Sequence, residues 1–226
     1  ETEERANPPE WPASYRAVIS DKVPVRHDPL DRKPEGLAVE QSVRFSPGAR
    51  AVFEAGRVRG TAESLGAAYS VSFWFRNDLS TRARAVTSYL FSRGPNGDKQ
   101  APGDHLGIGG NYRESYPGKL LVFNGNDADE VLIGKTVIPP GTWNHVVFVR
   151  DGERARAWLN GTLEIDGKIE PTTSGSEEFY LGARSDFFAP LKGYLAEFAL
   201  FDRALADKDV RDLHTAAQPG KNRLEK

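Results

Sequence analysis

The chain has 226 residues, 38% of them hydrophobic and 10% aromatic, with 30 basic and 32 acidic side chains. That length supports one large domain with its own core, and the near-balance of charge argues against a nucleic-acid-binding surface. The absence of cysteine excludes disulfide staples, thiolate zinc sites and cysteine nucleophiles, and no apolar run approaches the ~20 residues that cross a bilayer.

With neither a methionine nor a basic-then-apolar leader, the chain reads as a processed or excised piece of a longer protein. Residues 1–36 hold six of the fifteen prolines (Pro8, Pro9, Pro12, Pro24, Pro29 and Pro34). Proline removes a ladder donor and restricts its predecessor, so this stretch is expected to be an extended arm. Within it Trp11, Tyr15, Val18 and Ile19 are apolar enough to dock the arm on the domain. From Val43 onward, short runs rich in Val, Phe, Tyr and Leu alternate with Gly, Asn and Asp, the signature of strands and turns.

In Tyr69–Arg76 the side chains of Val71, Phe73 and Phe75 fall on one face and those of Ser72, Trp74 and Arg76 on the other, which predicts a strand with a core side. Further strands are expected at Thr87–Ser92, His105–Ile108 and Lys119–Phe123. Then come Trp143–Arg150, Arg154–Leu159 and Thr162–Ile165, punctuated by Asp151-Gly152, Asn160-Gly161 and Asp166-Gly167. These dipeptides tolerate the positive φ of tight hairpins, so the segment reads as an antiparallel meander. Strands at Glu178–Gly182 and Tyr194–Phe201 follow. One helix is supported, from Asp207 to Ala217, with two aspartates in its first turn and Val210, Leu213 and Ala217 on one side. One helix among many strands is an all-β fold.

Four segments together resemble the LamG-like jelly-roll family of the concanavalin A-like lectin/glucanase superfamily. They are Tyr69-Ser-Val-Ser-Phe-Trp-Phe75, Gly141-Thr-Trp-Asn-His-Val-Val-Phe-Val-Arg150 with Leu159-Asn160-Gly161, Phe179-Tyr-Leu-Gly-Ala-Arg184, and Gly193 to Leu205. The resemblance spans residues 42–217 and implies a two-sheet antiparallel β-sandwich, the concanavalin A-like jelly roll, with one short C-terminal helix. It divides the chain into an N-terminal arm packed on the domain (1–36), the LamG-like domain (37–217) and a tail (218–226). It further implies a lectin-like, non-catalytic module of a large exported bacterial protein, located outside the cell or in the periplasm. Its partners would be a glycan or other domains of the parent protein, with no nucleic acid and no membrane insertion. The alternative is a structural or protein-interaction scaffold, which would show an apolar or arm-covered concave face in place of an open groove.

A glycoside hydrolase needs two carboxylates across a sugar cleft. Catalytic relatives write Glu-x-Asp-x-Glu or Glu-x-Asp-x-x-Glu on one strand. The nearest text, Glu164-Ile-Asp166-Gly-Lys168-Ile169-Glu170, fits neither, so no catalytic residue is expected. The four histidines lack metal-ligand spacing, and His145 is expected to be a satisfied core imidazole. Gly107-Ile-Gly-Gly-Asn-Tyr112 has no helix pattern behind it and reads as a loop beside a strand. Asn160-Gly161-Thr162 is formally a glycosylation sequon, but a hairpin already explains it.

Relatives often place a calcium-ligating aspartate where this chain has Ala196. No cofactor is required, and calcium stays an option elsewhere, because Asp104, Asn126, Asp127, Asp129 and Asp186 offer the oxygens that a hard cation takes. Sugar faces stack on aromatics beside a few planar polar groups. The candidates for glycan binding are Trp74, Asn111, Tyr112, Tyr116, Asn126, Trp158, Arg184 and Asp186.

Overall fold

The computed structural model describes residues 11–47, 50–63, 65–97, 103–125, 131–170 and 177–217. The candidates Asn126, Asp127 and Asp129 therefore lie outside the described residues. A helix, α1 (Ala13–Asp21), comes first, followed by β1 (Arg26–Asp28), β2 (Ala38–Glu40), β3 (Val43–Ser46), β4 (Arg50–Glu54) and β5 (Arg57–Thr61). The long strands β6 (Ala68–Asn77) and β7 (Val86–Arg93) precede β8 (Asp104–Gly109), β9 (Leu120–Phe123) and the two-residue β10 (Leu132–Ile133). The meander is β11 (Trp143–Asp151), β12 (Arg154–Leu159) and β13 (Thr162–Lys168); β14 (Glu178–Leu181), β15 (Lys192–Phe201) and α2 (Asp207–Ala216) complete the chain.

These strands form two antiparallel sheets. One runs β13-β12-β11-β6-β15-β4-β3 with β1 also on β15; the other runs β10-β9-β8-β7-β14-β5-β2. Between them lies the main core, in which Phe91, Phe179 and Phe198 stack at 5.5–6.5 Å between ring centroids. This is the expected all-β sandwich.

The amino-terminal segment departs from the expected extended arm. Residues 13–21 are helical, and the prolines that argued for extension mark the ends of the helix: Pro12 is the N-cap and Pro24 follows the C-cap Lys22. Proline is tolerated at a helix start because the first amides lack partners anyway. Tyr15 and Ile19, one turn apart, are buried against the eight-stranded sheet together with Val210 and Leu213 of α2. Lys22 joins the two helices through Asp209 and Asp212, both at 2.8 Å.

The outer face of that sheet is consequently closed. Trp74 and Trp158 are 7% and 5% exposed and belong to the apolar cluster under α1 and α2. Strand β6 thus has two buried faces, where its alternation of apolar and polar residues suggested one. Ser72 donates to or accepts from His145 Nε2 at 3.0 Å, and Tyr15 Oη approaches the same nitrogen at 3.3 Å. Burial, with His214 stacked alongside, pushes the His145 imidazole down to about 3.

At Glu197, β15 changes partners. Residues 192–195 pair with β4 and residues 198–200 with β1, and Glu197 at the join has φ 53°. Its carboxylate is 1% exposed and is held by Arg16 of α1 at 2.6 Å and His27 of β1 at 3.1 Å. Burial alone would raise its pKa, but the His27 and Arg16 hydrogen bonds hold it below the usual carboxylate range. Replacing Arg16 by Ala should lower unfolding stability by about 1–3 kcal/mol, less than for a fully buried pair because the Arg16 end is half exposed. Urea titration measures this directly.

Asp166-Gly167 is not a turn. Both residues lie inside β13, opposite Arg156 and Ala155. Asp166 accepts two hydrogen bonds from Arg154 at 2.7 Å, and a Cβ on Gly167 would come within 2.7 Å of Leu132. This glycine answers a crowding requirement; Asn160-Gly161 is the expected hairpin loop, with φ of 49° and 77°, whereas Asp151 is the last paired residue of β11, opposite Arg154, and the turn there is made by Gly152 and Glu153.

Candidate functional site

The outer face of the seven-stranded sheet is left open by α1 and α2, and it carries a groove. Its floor is a small apolar cluster, Tyr89 of β7 with Leu121 and Phe123 of β9. Gly107 of β8 sits between them, opposite both Tyr89 and Leu121. A Cβ there would lie 2.9 Å from the Tyr89 ring, so the glycine lets that ring lie flat across the strand. The cavity is about 290 Å³, at the lower end of the roughly 300–1,000 Å³ typical of small-ligand sites.

Two loops build its sides. After β8 the chain turns back on itself, and Gly109 and Gly110 allow this: a Cβ would lie 2.4 Å from the Tyr116 carbonyl oxygen or 1.8 Å from that of Arg84. The amides of Gly110 and Asn111 donate to the carbonyls of Ala85 and Arg84. This brings Tyr112 and Tyr116 to the Val86 end of β7, with ring centroids 6.5 Å apart. Tyr112 is 56% exposed and Tyr116 is buried behind it.

The second loop, residues 182–190, lies beside Tyr89 and Ser92. Ala189 accepts from the Tyr89 amide at 2.9 Å, and the Ser185 amide donates to Ser92 Oγ at 3.0 Å. Arg57 of β5 fastens it further by donating to the Ser185 carbonyl at 2.7 Å. Phe187 and Ala189 have φ of 68° and 47°, costly for non-glycine residues and maintained only because these bonds over-determine the loop. The loop presents Arg184 and the 44%-exposed Phe188 to the groove.

Electrostatically the site is quiet. Burial pushes the Tyr89 phenol up to about 12. Burial, aided by Arg184, pushes His105 beneath it down to about 3, where its Nδ1 meets Ser92 Oγ at 2.6 Å. Among the described residues, the groove lining offers aromatic faces, phenol hydroxyls and the guanidinium of Arg184, a surface suited to stacking and hydrogen bonding.

Of the residues singled out in the sequence, Tyr112, Tyr116 and Arg184 come together here, with Asp186 directly behind Arg184. Trp74 and Trp158 do not: they pack under the helices on the opposite side of the sandwich. Asn111 turns away, donating to the Arg82 carbonyl at 3.2 Å. Asp104 is fully buried, accepting from Tyr69 at 2.8 Å and facing Arg150 at 3.3 Å as an internal ion-pair partner. Asp186 likewise already holds Arg184. Among the described residues no group of three His, Cys, Asp or Glu is placed to hold a metal. Sequence reasoning missed Tyr89, Phe123 and Phe188. A strand was expected at Thr87–Ser92, but that Tyr89 floors a groove depends on the loops at 110–116 and 182–190, far along the chain.

The family model described as the concanavalin A-like lectin/glucanases superfamily (Laminin_G_3) matches residues 54–211. The chain belongs to this superfamily. No curated protein matches the sequence. Among solved structures, this concanavalin A-like domain is similar to domain 4 of AbnA, a GH43 extracellular arabinanase from Geobacillus stearothermophilus, solved in complex with arabinotriose. The identity is 20% and the TM-score 0.63, over 85% of this chain and 97% of that one. It is also similar to the binding domain of botulinum neurotoxin serotype C1, at 16% identity and TM-score 0.58, over 80% of this chain and 47% of that one. A third likeness is to botulinum neurotoxin type C, described as dependent on two ganglioside molecules for cell entry, at 16% identity and TM-score 0.57, over 80% and 46%. The domain thus spans about half the length of the toxin chains. At these identities the likeness concerns the fold.

Proposed function

We propose that this domain is a non-catalytic glycan-binding module whose combining site is the groove between Tyr112 and Phe188. The observation that carries the reading is the open, aromatic-lined groove with a single fixed planar hydrogen-bonding group, Arg184. Exposed aromatic faces stack on sugar C–H surfaces, and guanidinium N–H groups meet hydroxyls. The structural neighbour solved with arabinotriose, matched along nearly its whole length, lends support. Non-catalysis is favoured because no described residue lining the groove is a carboxylate, whereas glycoside hydrolysis ordinarily uses two. Glu164 is engaged structurally, accepting from the amides of Lys135 and Thr136 and from the Thr136 hydroxyl. The scaffold alternative is less favoured, since the helical arm covers the other sheet and leaves this face free.

Calorimetric titration with soluble glycans found on an array tests the reading. Replacing Tyr112 or Phe188 by Ala should each weaken binding by about 5- to 30-fold, roughly 1–2 kcal/mol, whereas Trp158→Phe should leave affinity unchanged. Affinity that survives both groove substitutions would place the site elsewhere.

A further inference from the structure

Among the described residues that line the groove, Arg184 alone carries a formal charge at neutral pH. Its Nε and Nη2 donate to Asp186 Oδ1 and Oδ2, each at 2.7 Å. The Asp186 side chain is 2% exposed and also accepts from the Phe188 amide at 3.1 Å, so the carboxylate stands behind the guanidinium and out of the groove. On the other side, Arg184 Cζ lies 4.8 Å from the centroid of the Phe188 ring and 5.6 Å from that of Tyr89. The guanidinium is thus fixed in position, and its charge is cancelled by a partner that the ligand does not displace. Burial alone would raise the Asp186 pKa, but the Arg184 hydrogen bond and charge, with the Phe188 amide, hold it below the ordinary carboxylate range. The pair therefore stays ionised at neutral and mildly acidic pH.

We infer that the groove selects neutral glycans and discriminates against those bearing a carboxylate, because Arg184, the one cation among the described residues that line it, is neutralised by Asp186. Arg113, with Cζ 6.0 Å from the Tyr112 ring centroid and 5.8 Å from that of Tyr116, is not among those lining residues. The inference rests on the glycan-binding reading. A bidentate ion pair takes two of the five guanidinium N–H groups, leaving donors that a sugar hydroxyl can use without disturbing the pair. A uronate or sialate has to compete with Asp186 for the same guanidinium and brings a second negative charge close to the first, an unfavourable arrangement beside a carboxylate that is itself only 2% exposed. Asp186 is then a specificity-determining residue that never touches the ligand.

The test is an array of glycans in pairs that differ only in a carboxylate, such as glucosides with glucuronides and asialo with sialylated chains. It is read with wild type, Asp186→Asn and Arg184→Gln. Wild type is expected to bind the neutral members, with affinity nearly unchanged between about 50 and 500 mM salt. Asp186→Asn should gain about tenfold or more for the acidic members, with marked salt sensitivity, since it frees a cation for a charge-assisted bond. Arg184→Gln should bind more weakly and keep the neutral preference. If Asp186→Asn does not fold, the wild-type preference and salt series decide the matter alone. Salt-sensitive binding of acidic members by wild type overturns this inference and leaves the glycan reading standing. A folded Asp186→Asn with no gain for acidic members also overturns it. No binding to any member by any of the three proteins overturns the glycan reading and this inference with it.

Discussion

Acidification should unfold this domain well before its carboxylates are fully protonated. His105 and His145 are buried and held as neutral rings, with pKa values pushed from 6.5 down to about 3, chiefly by desolvation. In the unfolded chain both rings take up protons near pH 6.5. Between these limits the unfolded state binds more protons than the folded one, so stability falls as pH falls. Two protons correspond to about 2.7 kcal/mol lost per pH unit in the middle of the window. Over the whole window the two rings remove at most about 9 kcal/mol, so a domain in the lower half of the ordinary stability range, roughly 5–9 kcal/mol, unfolds between about pH 3 and 5. Glu197 and Asp186, whose pKa values are depressed, add a further loss as pH drops through their folded values.

The amino-terminal helix should report this event. His145 contacts Tyr15 of α1, and Trp11 lies 5.9 Å from Trp74 and 6.0 Å from Trp143, so release of the helix changes tryptophan emission. Melting temperature measured from pH 7.5 to 4 gives the slope. The double variant His105→Gln, His145→Gln should flatten it, and a wild-type melting temperature that is level across this range would remove the argument.

The second large effect is expected at Asp104. Its side chain and that of Arg150 are 0% and 1% exposed, and they face each other inside the sandwich. Removing the carboxylate leaves a buried guanidinium without its counter-charge and deprives Tyr69 of its acceptor, so Asp104→Ala should cost about 3–5 kcal/mol. The pair as a whole contributes far less than that figure, because burying two ions carries its own desolvation cost. The double replacement Asp104→Leu, Arg150→Met should accordingly recover most of the loss. Urea unfolding of the two variants separates these cases. Calcium provides a second readout: with Asp104 and Asp186 each facing an arginine, the wild-type melting temperature should not respond to calcium through them. A calcium-dependent rise that vanishes in Asp104→Ala would assign Asp104 to a metal and refute its role as an ion-pair partner.

Much of the architecture was legible along the chain because the signals are local. Alternating side chains in β6, the turns at Gly152 and at Asn160-Gly161, and the acidic first turn of α2 each report on the few residues around them. The same locality misled at two places. Prolines 12 and 24 suggested extension but bracket a helix too short, at nine residues, to announce itself. Asp166-Gly167 resembled a turn but is a strand position where glycine relieves contact with Leu132.

The site was only half legible. Tyr112, Tyr116 and Arg184 stand out by residue type and loop position, and Trp74 and Trp158 stand out by residue type on strands whose outer face the sequence does not show to be covered. What separates them is the far side of the sheet on which each tryptophan lies: α1 and α2, distant in sequence from β6, close that face, whereas loops 110–116 and 182–190 leave the other open. By itself the sequence determined the strands, their alternation and so the sandwich, because hydrophobic period and turn chemistry act between near neighbours. The tertiary structure alone decided which face is solvent-accessible and which side chains are buried together, because burial is set by contacts between segments far apart in the chain, such as Arg16 with Glu197 and Ser72 with His145.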